Sequence, residues 1–319
     1  IIYIHNMDYI LFTLGALFIF YGSNLLIDNS KLIAVSLSIS PFVIGLTLIA
    51  FGTSLPELIV STIASFEGEG DIVIGNIIGS NIANIALVLS IIAIWRPVKF
   101  NYKNLKGSLN YIVISSIILG VIVANNYLSL IPGIVFLILF IIYIYNQFKV
   151  VRAGSNQENS KDSEFNIKYL IYSFLGIFLL GYGADLFING AIGIATSLGV
   201  PLIVISLSVV ALGTSIPELV TSMVAIQKNE SNFVIGNILG SNIINIVFVL
   251  GTAIIINPIN TFTPDSLIIY NTKISLFFMF LVTAILLYII FFKNKVNRFY
   301  GIILLLVYLT FIYLNFIQQ

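Results

Sequence analysis

The chain has no cysteine, a single histidine and very little charge. Without thiols there are no disulfides and no thiolate metal sites. The one imidazole, His5, precedes the first apolar segment, so no histidine within a span can bind a transition metal. Asp, Glu, Lys and Arg make up only 8% of the 319 residues, against about 25% in soluble domains. That is too few to cover a water-facing surface. A formal net charge of +1 leaves no bulk electrostatic attraction for nucleic acid. An intramembrane hydrolase also lacks its parts, because no span holds a His, a Cys or paired aspartates.

Hydrophobic residues, by contrast, make up 59% of the chain. They gather into runs of about 17–25 residues, the length that crosses a bilayer as a helix. Ten spans are predicted, over 9–27, 42–65, 72–94, 109–125, 128–147, 167–188, 202–226, 233–256, 272–292 and 299–316. The fold class is therefore an all-α polytopic membrane protein, with lipid around most of its outside. The first run lacks a small-residue cleavage site and leads straight into further spans, so it reads as a span and not a leader. "RAGSNQENSKDSEFNIK", Arg152–Lys168, is the one long polar stretch and reads as a linker between halves. With the N-terminus and C-terminus both outside, ten spans put 13 of the 14 Lys and Arg on the cytoplasmic side and leave only Lys273 outside.

The chain also repeats itself. "GTSLPE" at Gly52–Glu57 returns 161 positions later as "GTSIPE" at Gly213–Glu218. "YGS" at Tyr21–Ser23 returns as "YGA" at Tyr182–Ala184, and "IGNIIGSNIANI" at Ile74–Ile85 as "IGNILGSNIINI" at Ile235–Ile246, in the same register. This is a duplicated five-helix unit. The first copy is placed at 8–147, a cytoplasmic linker at 148–166 and the second copy at 167–319. Because five is odd, the second copy enters the membrane from the opposite face. Inverted repeats with interrupted helices at matching positions point to a secondary transporter with its site near the midplane.

The repeated motifs carry the chemistry. Pro56 and Pro217 lack an N–H, and with Gly52 and Gly213 they should break their helices near "GTS". Carbonyls around Ala50–Gly52 and Ala211–Gly213 should then lose their helical partners, beside the hydroxyls of Thr53, Ser54, Thr214 and Ser215. Glu57 and Glu218 follow one turn later. A carboxylate at mid-bilayer costs at least about 2.5–3.5 kcal/mol. No Lys or Arg lies deeper in a span than its second residue, so none can neutralise it at mid-bilayer, and a bound cation or a proton must. The next helix of each half adds Asn76, Ser80 and Asn84, then Asn237, Ser241 and Asn245, each trio at a spacing of four on one face. The Gly75–Gly79 and Gly236–Gly240 pairs permit close helix approach. The pooled donors are hard oxygens. Ca²⁺ takes 6–8 of these at about 2.3–2.6 Å, Na⁺ accepts the same donors, and Mg²⁺ fits less well.

These motifs resemble the alpha repeats of the sodium/calcium exchanger family, in a form without a large regulatory domain. The resemblance implies exchange of Ca²⁺ against Na⁺, or against H⁺ in some branches, in the cell membrane and with no cofactor. It assigns ion-ligand roles to Glu57 and Glu218, to the hydroxyls of Thr53, Ser54, Thr214, Ser215, Ser80 and Ser241, and to the carbonyls of Ala50 and Ala211. It gives further polar positions to Asn84 and Asn245. Some relatives, including potassium-dependent ones, carry aspartate at the last of these, which weakens a potassium-coupled reading here. The residues alone leave an H⁺/Ca²⁺ antiporter open, and a cation channel as a third reading.

Overall fold

Long apolar runs become long helices. The structure, a computed structural model, describes residues 2–124, 128–154, 165–198, 213–258 and 267–317. Its helices, in chain order, are α1 (Ile2–Ser36), the bent pair α2 (Pro41–Thr53) and α3 (Leu55–Glu67), α4 (Gly70–Trp95), α5 (Tyr102–Ala124) and α6 (Leu130–Gly154). They continue as α7 (Ile167–Ser197), α8 (Ile216–Gln227), α9 (Ser231–Ile256), α10 (Leu267–Phe292) and α11 (Arg298–Ile317). Among the described residues eight helices are long and apolar enough to cross a membrane, and nine if α2 and α3 count as one span. Of the span expected at 202–226, positions 202–212 lie outside the described residues, and the remainder forms the shorter apolar helix α8.

The helices overrun the predicted spans. The first was expected at 9–27, yet α1 continues through Asp28, Asn29, Ser30 and Lys31 to Ser36. Hydropathy ends where polar side chains begin, whereas a helix ends only where its backbone is interrupted, here at Ser38, which takes φ 52°.

The middle of the molecule is α4 and α9, with 78% and 83% of their apolar windows buried; the corresponding figure for α1 and α7 is 33%. A helix that is apolar all round belongs in an interior. The central helices both switch to a π-helical stretch, Asn84–Val88 in α4 and Asn245–Leu250 in α9, each beginning at the motif asparagine. The turns that precede them also match. Gly68 at φ 80° ends α3, and Asn229 at φ 64°, 161 positions on, follows α8. Glycine and asparagine are the two residues that accept this left-handed cap with least strain.

Helices α1 and α7 cross antiparallel through glycines. A Cβ on Gly15 would lie 2.7 Å from the Gly183 carbonyl, and one on Gly22 would lie 2.8 Å from that of Gly176. Only hydrogen fits at these crossing points, so the two backbones touch directly.

Two ion pairs fasten the end of α1 to the turn between α8 and α9: Lys31 Nζ to Glu230 Oε1 at 2.8 Å and Lys228 Nζ to Asp28 Oδ1 at 2.6 Å. Arg96 reaches the same turn, donating to the Ile226 carbonyl at 3.1 Å and to Asn229 Oδ1 at 2.9 Å. Both ion pairs are open to solvent. Lys228→Ala is accordingly expected to cost under about 1 kcal/mol, read by thermal unfolding of the purified protein.

Candidate cation site

The break in the first half falls at Ser54, which has φ −84° and ψ 7°, and α3 leaves at 46° to α2. The second half has the same local geometry at Ser215, with φ −89° and ψ 2°, ahead of α8. Pro56 and Pro217 each sit in the first turn of the new helix, where the missing N–H has no intrahelical partner to lose. Gly52 and Gly213 let the breaks press against α7, onto Ile177 and Ile188 respectively.

Glu57 and Glu218 then fall in the first turns of α3 and α8. The positive end of a helix dipole favours a carboxylate there. Both are completely buried. Ser54 Oγ donates to Glu218 Oε1 at 3.5 Å, with Thr53 close by. Ser80 and Thr214 lie beside Glu57 without closing a hydrogen bond to it. The two carboxylates are near enough to feel each other's charge.

Thr53 is the hub that joins the halves. Its hydroxyl donates to Asn237 Oδ1 at 3.0 Å and lies 3.3 Å from Ser241 Oγ and 3.3 Å from the Ala50 carbonyl. Asn237 also donates to Ser222 at 3.3 Å, while Asn76 donates to Ser61 at 2.9 Å and to the Glu57 carbonyl at 3.1 Å. The site thus gathers Ala50, Thr53, Ser54, Ser241 and Glu218 from both halves, with Glu57, Ser80 and Thr214 alongside. Asn84 donates to Asn242 Oδ1 at 3.1 Å. Among the described residues no hydrogen bond ties Asn84 or Asn245 to a carboxylate.

Several buried polar atoms are left over. Both oxygens of Glu57, Oε2 of Glu218, Ser215 Oγ, Asn84 Oδ1 and both polar atoms of the Asn245 side chain have no hydrogen-bond partner among the described residues. No Lys or Arg among those residues is buried. Unpaired charge in an apolar interior costs several kcal/mol per ion, so this cluster is chemically incomplete without positive charge. Its geometry suits a hard, oxygen-seeking cation.

One sequence expectation changes here. Ala50 does not lose its helical partner: Ser54 N–H still reaches its carbonyl at 3.0 Å, and Ser241 Oγ approaches it at 3.5 Å. The bond that Pro56 cannot make is the one to Gly52, four residues back. Ala211 lies outside the described residues. Gly236 and Gly240 press against Phe42, Gly45, Leu46 and Ala50, whereas Gly75 and Gly79 meet nothing within 4 Å among the described residues. Tyr143 is fully buried and donates to the Leu46 carbonyl at 2.9 Å. That carbonyl belongs to the π-helical stretch Gly45–Ile49 of α2.

The chain has relatives among known proteins. A family profile described as sodium/calcium exchanger protein matches residues 7–149 and 168–317. The sodium/calcium exchanger MaX1 of Methanosarcina acetivorans is 30% identical over 361 residues, covering 98% of this chain and 99% of the relative. A membrane protein of Methanocaldococcus jannaschii, described as uncharacterized, is 35% identical over 298 residues, covering 93% of this chain and 94% of its own. Among solved structures, the sodium-calcium exchanger NCX_Mj soaked with 10 mM Na⁺ and zero Ca²⁺ superposes with a TM-score of 0.81 at 32% identity, covering 96% of this chain and 98% of that one.

Proposed function

The chain belongs to the sodium/calcium exchanger family, as a multi-pass membrane cation/Ca²⁺ antiporter, and from that premise we propose that it exchanges Ca²⁺ for Na⁺ across the cell membrane by alternating access. The observation that carries the proposal is the pair of buried carboxylates, Glu57 and Glu218, with acceptor oxygens that have no partner, and no buried basic side chain near them, among the described residues. Ions bind there through these two glutamates, the hydroxyls of Thr53, Ser54, Ser80, Thr214, Ser215 and Ser241, and the carbonyls of Ala50 and Ala211. Asn84 and Asn245 border the site. One Ca²⁺ or two monovalent ions neutralise the two acids equally well, so the ions compete. The unneutralised site resists a passage through hydrocarbon.

The carrier is proposed as ten spans in two inverted five-helix units, 8–147 and 167–319, joined by a cytoplasmic linker at 148–166, with both termini outside. Contacts that exchange under the 161-residue offset support this. Gly15 meets Gly183 and Gly22 meets Gly176, where Gly176 matches Gly15 and Gly183 matches Gly22. Such reciprocity is the mark of a two-fold axis. At the site the reciprocity fails. Ser54 bonds Glu218, yet the matching Ser215 has no partner among the described residues. An inverted pair that opens to one side at a time must break its symmetry in either state.

Ca²⁺ uptake into proteoliposomes loaded with Na⁺ tests the proposal. Uptake should follow the Na⁺ gradient and vanish in K⁺-loaded vesicles. Uptake driven only by a proton gradient would establish H⁺ as the counter-ion, and uptake with no exchanging gradient would establish a channel. Asn245→Asp adds a third carboxyl beside the site and is expected to shift ion preference severalfold with little effect on folding. Identical Na⁺, K⁺ and H⁺ dependence in parent and variant would place Asn245 outside the site.

A further inference from the structure

Two short connections, one after α4 and one between α10 and α11, form a ribbon at one end of the helices: β1 (Val98–Lys99) pairs antiparallel with β2 (Lys295–Val296), Val98 opposite Val296. Both valines are completely buried, so the ribbon is fixed to the helix ends. Beside it opens a cleft of about 960 Å³. Lys99, Lys103, Lys293 and Lys295 line it, and no Asp or Glu does. None of the four forms an ion pair among the described residues, while Lys31 and Lys228 both do.

Three features make this more than a scatter of surface lysines. The N-termini of α5 and α11 both border the cleft, their first turns capped by Asn101 (to Lys103 N–H, 3.0 Å) and Asn297 (to Tyr300 N–H, 3.2 Å). Two positive helix ends therefore add to four ammonium groups. The cleft also sits at a definite depth. Its residues adjoin the ends of the candidate spans Gly70–Trp95, Tyr102–Val123, Lys273–Phe292 and Arg298–Asn315. That is the level of lipid headgroups. Finally, Tyr102 and Tyr300 line it and Phe292 stands 70% exposed at its edge, the arrangement of aromatic side chains at a membrane–water boundary.

We infer that this cleft binds the phosphate headgroup of an anionic phospholipid, the lysines and helix ends holding the phosphate while the acyl chains run down the exposed faces of α5 and α11. A bound lipid would join the two connections that the ribbon already ties together. The proposal does not depend on which ions the protein exchanges, and its readout is lipid retention, not transport.

The test uses the full chain purified in mild detergent. Native mass spectrometry counts lipids retained after titration with phosphatidylglycerol or phosphatidylcholine, and thermal unfolding is followed with the same lipids and with inorganic phosphate. Phosphatidylglycerol should be retained in preference and should raise the unfolding temperature, with phosphatidylcholine and inorganic phosphate having little effect. Lys103→Gln with Lys295→Gln should weaken phosphatidylglycerol binding by about 30-fold, since each lysine near an anionic surface is worth roughly fivefold. Lys106→Gln with Lys149→Gln removes equal charge outside the cleft and should change retention less than twofold. Equal loss in both pairs of variants, unchanged retention in the first pair, or stabilisation by inorganic phosphate as large as that by lipid would each overturn the proposal.

Discussion

Glu57→Gln and Glu218→Gln are each expected to lower Na⁺-driven Ca²⁺ uptake by at least about 100-fold, because a charged ligand lost from a buried site costs about 3–5 kcal/mol. Glutamine keeps the shape and one carbonyl oxygen but removes half of the fixed negative charge. The fold should survive. Neither Glu57 oxygen has a hydrogen-bond partner among the described residues, and Glu218 accepts only one long bond, from Ser54 at 3.5 Å. Without ions, the variants should therefore be at least as heat-stable as the parent. The parent should gain about 2.7 kcal/mol of stability at a Ca²⁺ concentration 100 times its dissociation constant, and the variants almost none. Parallel measurements of uptake and of thermal unfolding with and without Ca²⁺ separate a lost ligand from a misfolded protein. Normal uptake in either variant would remove that glutamate from the site.

Gly240→Val is expected to be the most disruptive single change, costing about 3 kcal/mol of stability together with exchange activity. A Cβ at Gly240 would lie 2.6 Å from the Leu46 carbonyl and 2.6 Å from Ala50 Cβ. Neither neighbour is free to retreat. The Leu46 carbonyl accepts from Tyr143, and the Ala50 carbonyl accepts from Ser54 N–H. Pushing α9 away from α2 also parts Thr53 from Asn237 and Ser241, so damage to packing is damage to the site. Gly107→Ala is the contrasting case, since a Cβ there meets nothing within 4 Å among the described residues. It should leave stability unchanged or raise it by under about 1 kcal/mol through helix propensity. Thermal unfolding of both variants in the same detergent checks the pair; equal stability of Gly240→Val and parent would show that α2 and α9 do not pack as described.

The local features of the fold were legible in the sequence because each follows from covalent structure or from solvent preference. Apolar length gives spans, proline gives the breaks at Ser54 and Ser215, and a shared register at an offset of 161 gives the duplication. The same logic exposed Glu57 and Glu218, since a carboxylate in an apolar run requires an explanation wherever it occurs. What the sequence left undecided was pairing. Nothing in "GTSLPE" says that Thr53 reaches Asn237 of the other half, while Asn76 turns instead to Ser61 within its own. Nor does the run around Tyr143 say that its hydroxyl reaches a carbonyl in the π-helical stretch of α2. Composition and periodicity fix what a helix must hide, whereas which of two equivalent helices it hides against, and which half of a symmetric set of hydrogen bonds is closed, depends on how the helices pack in three dimensions.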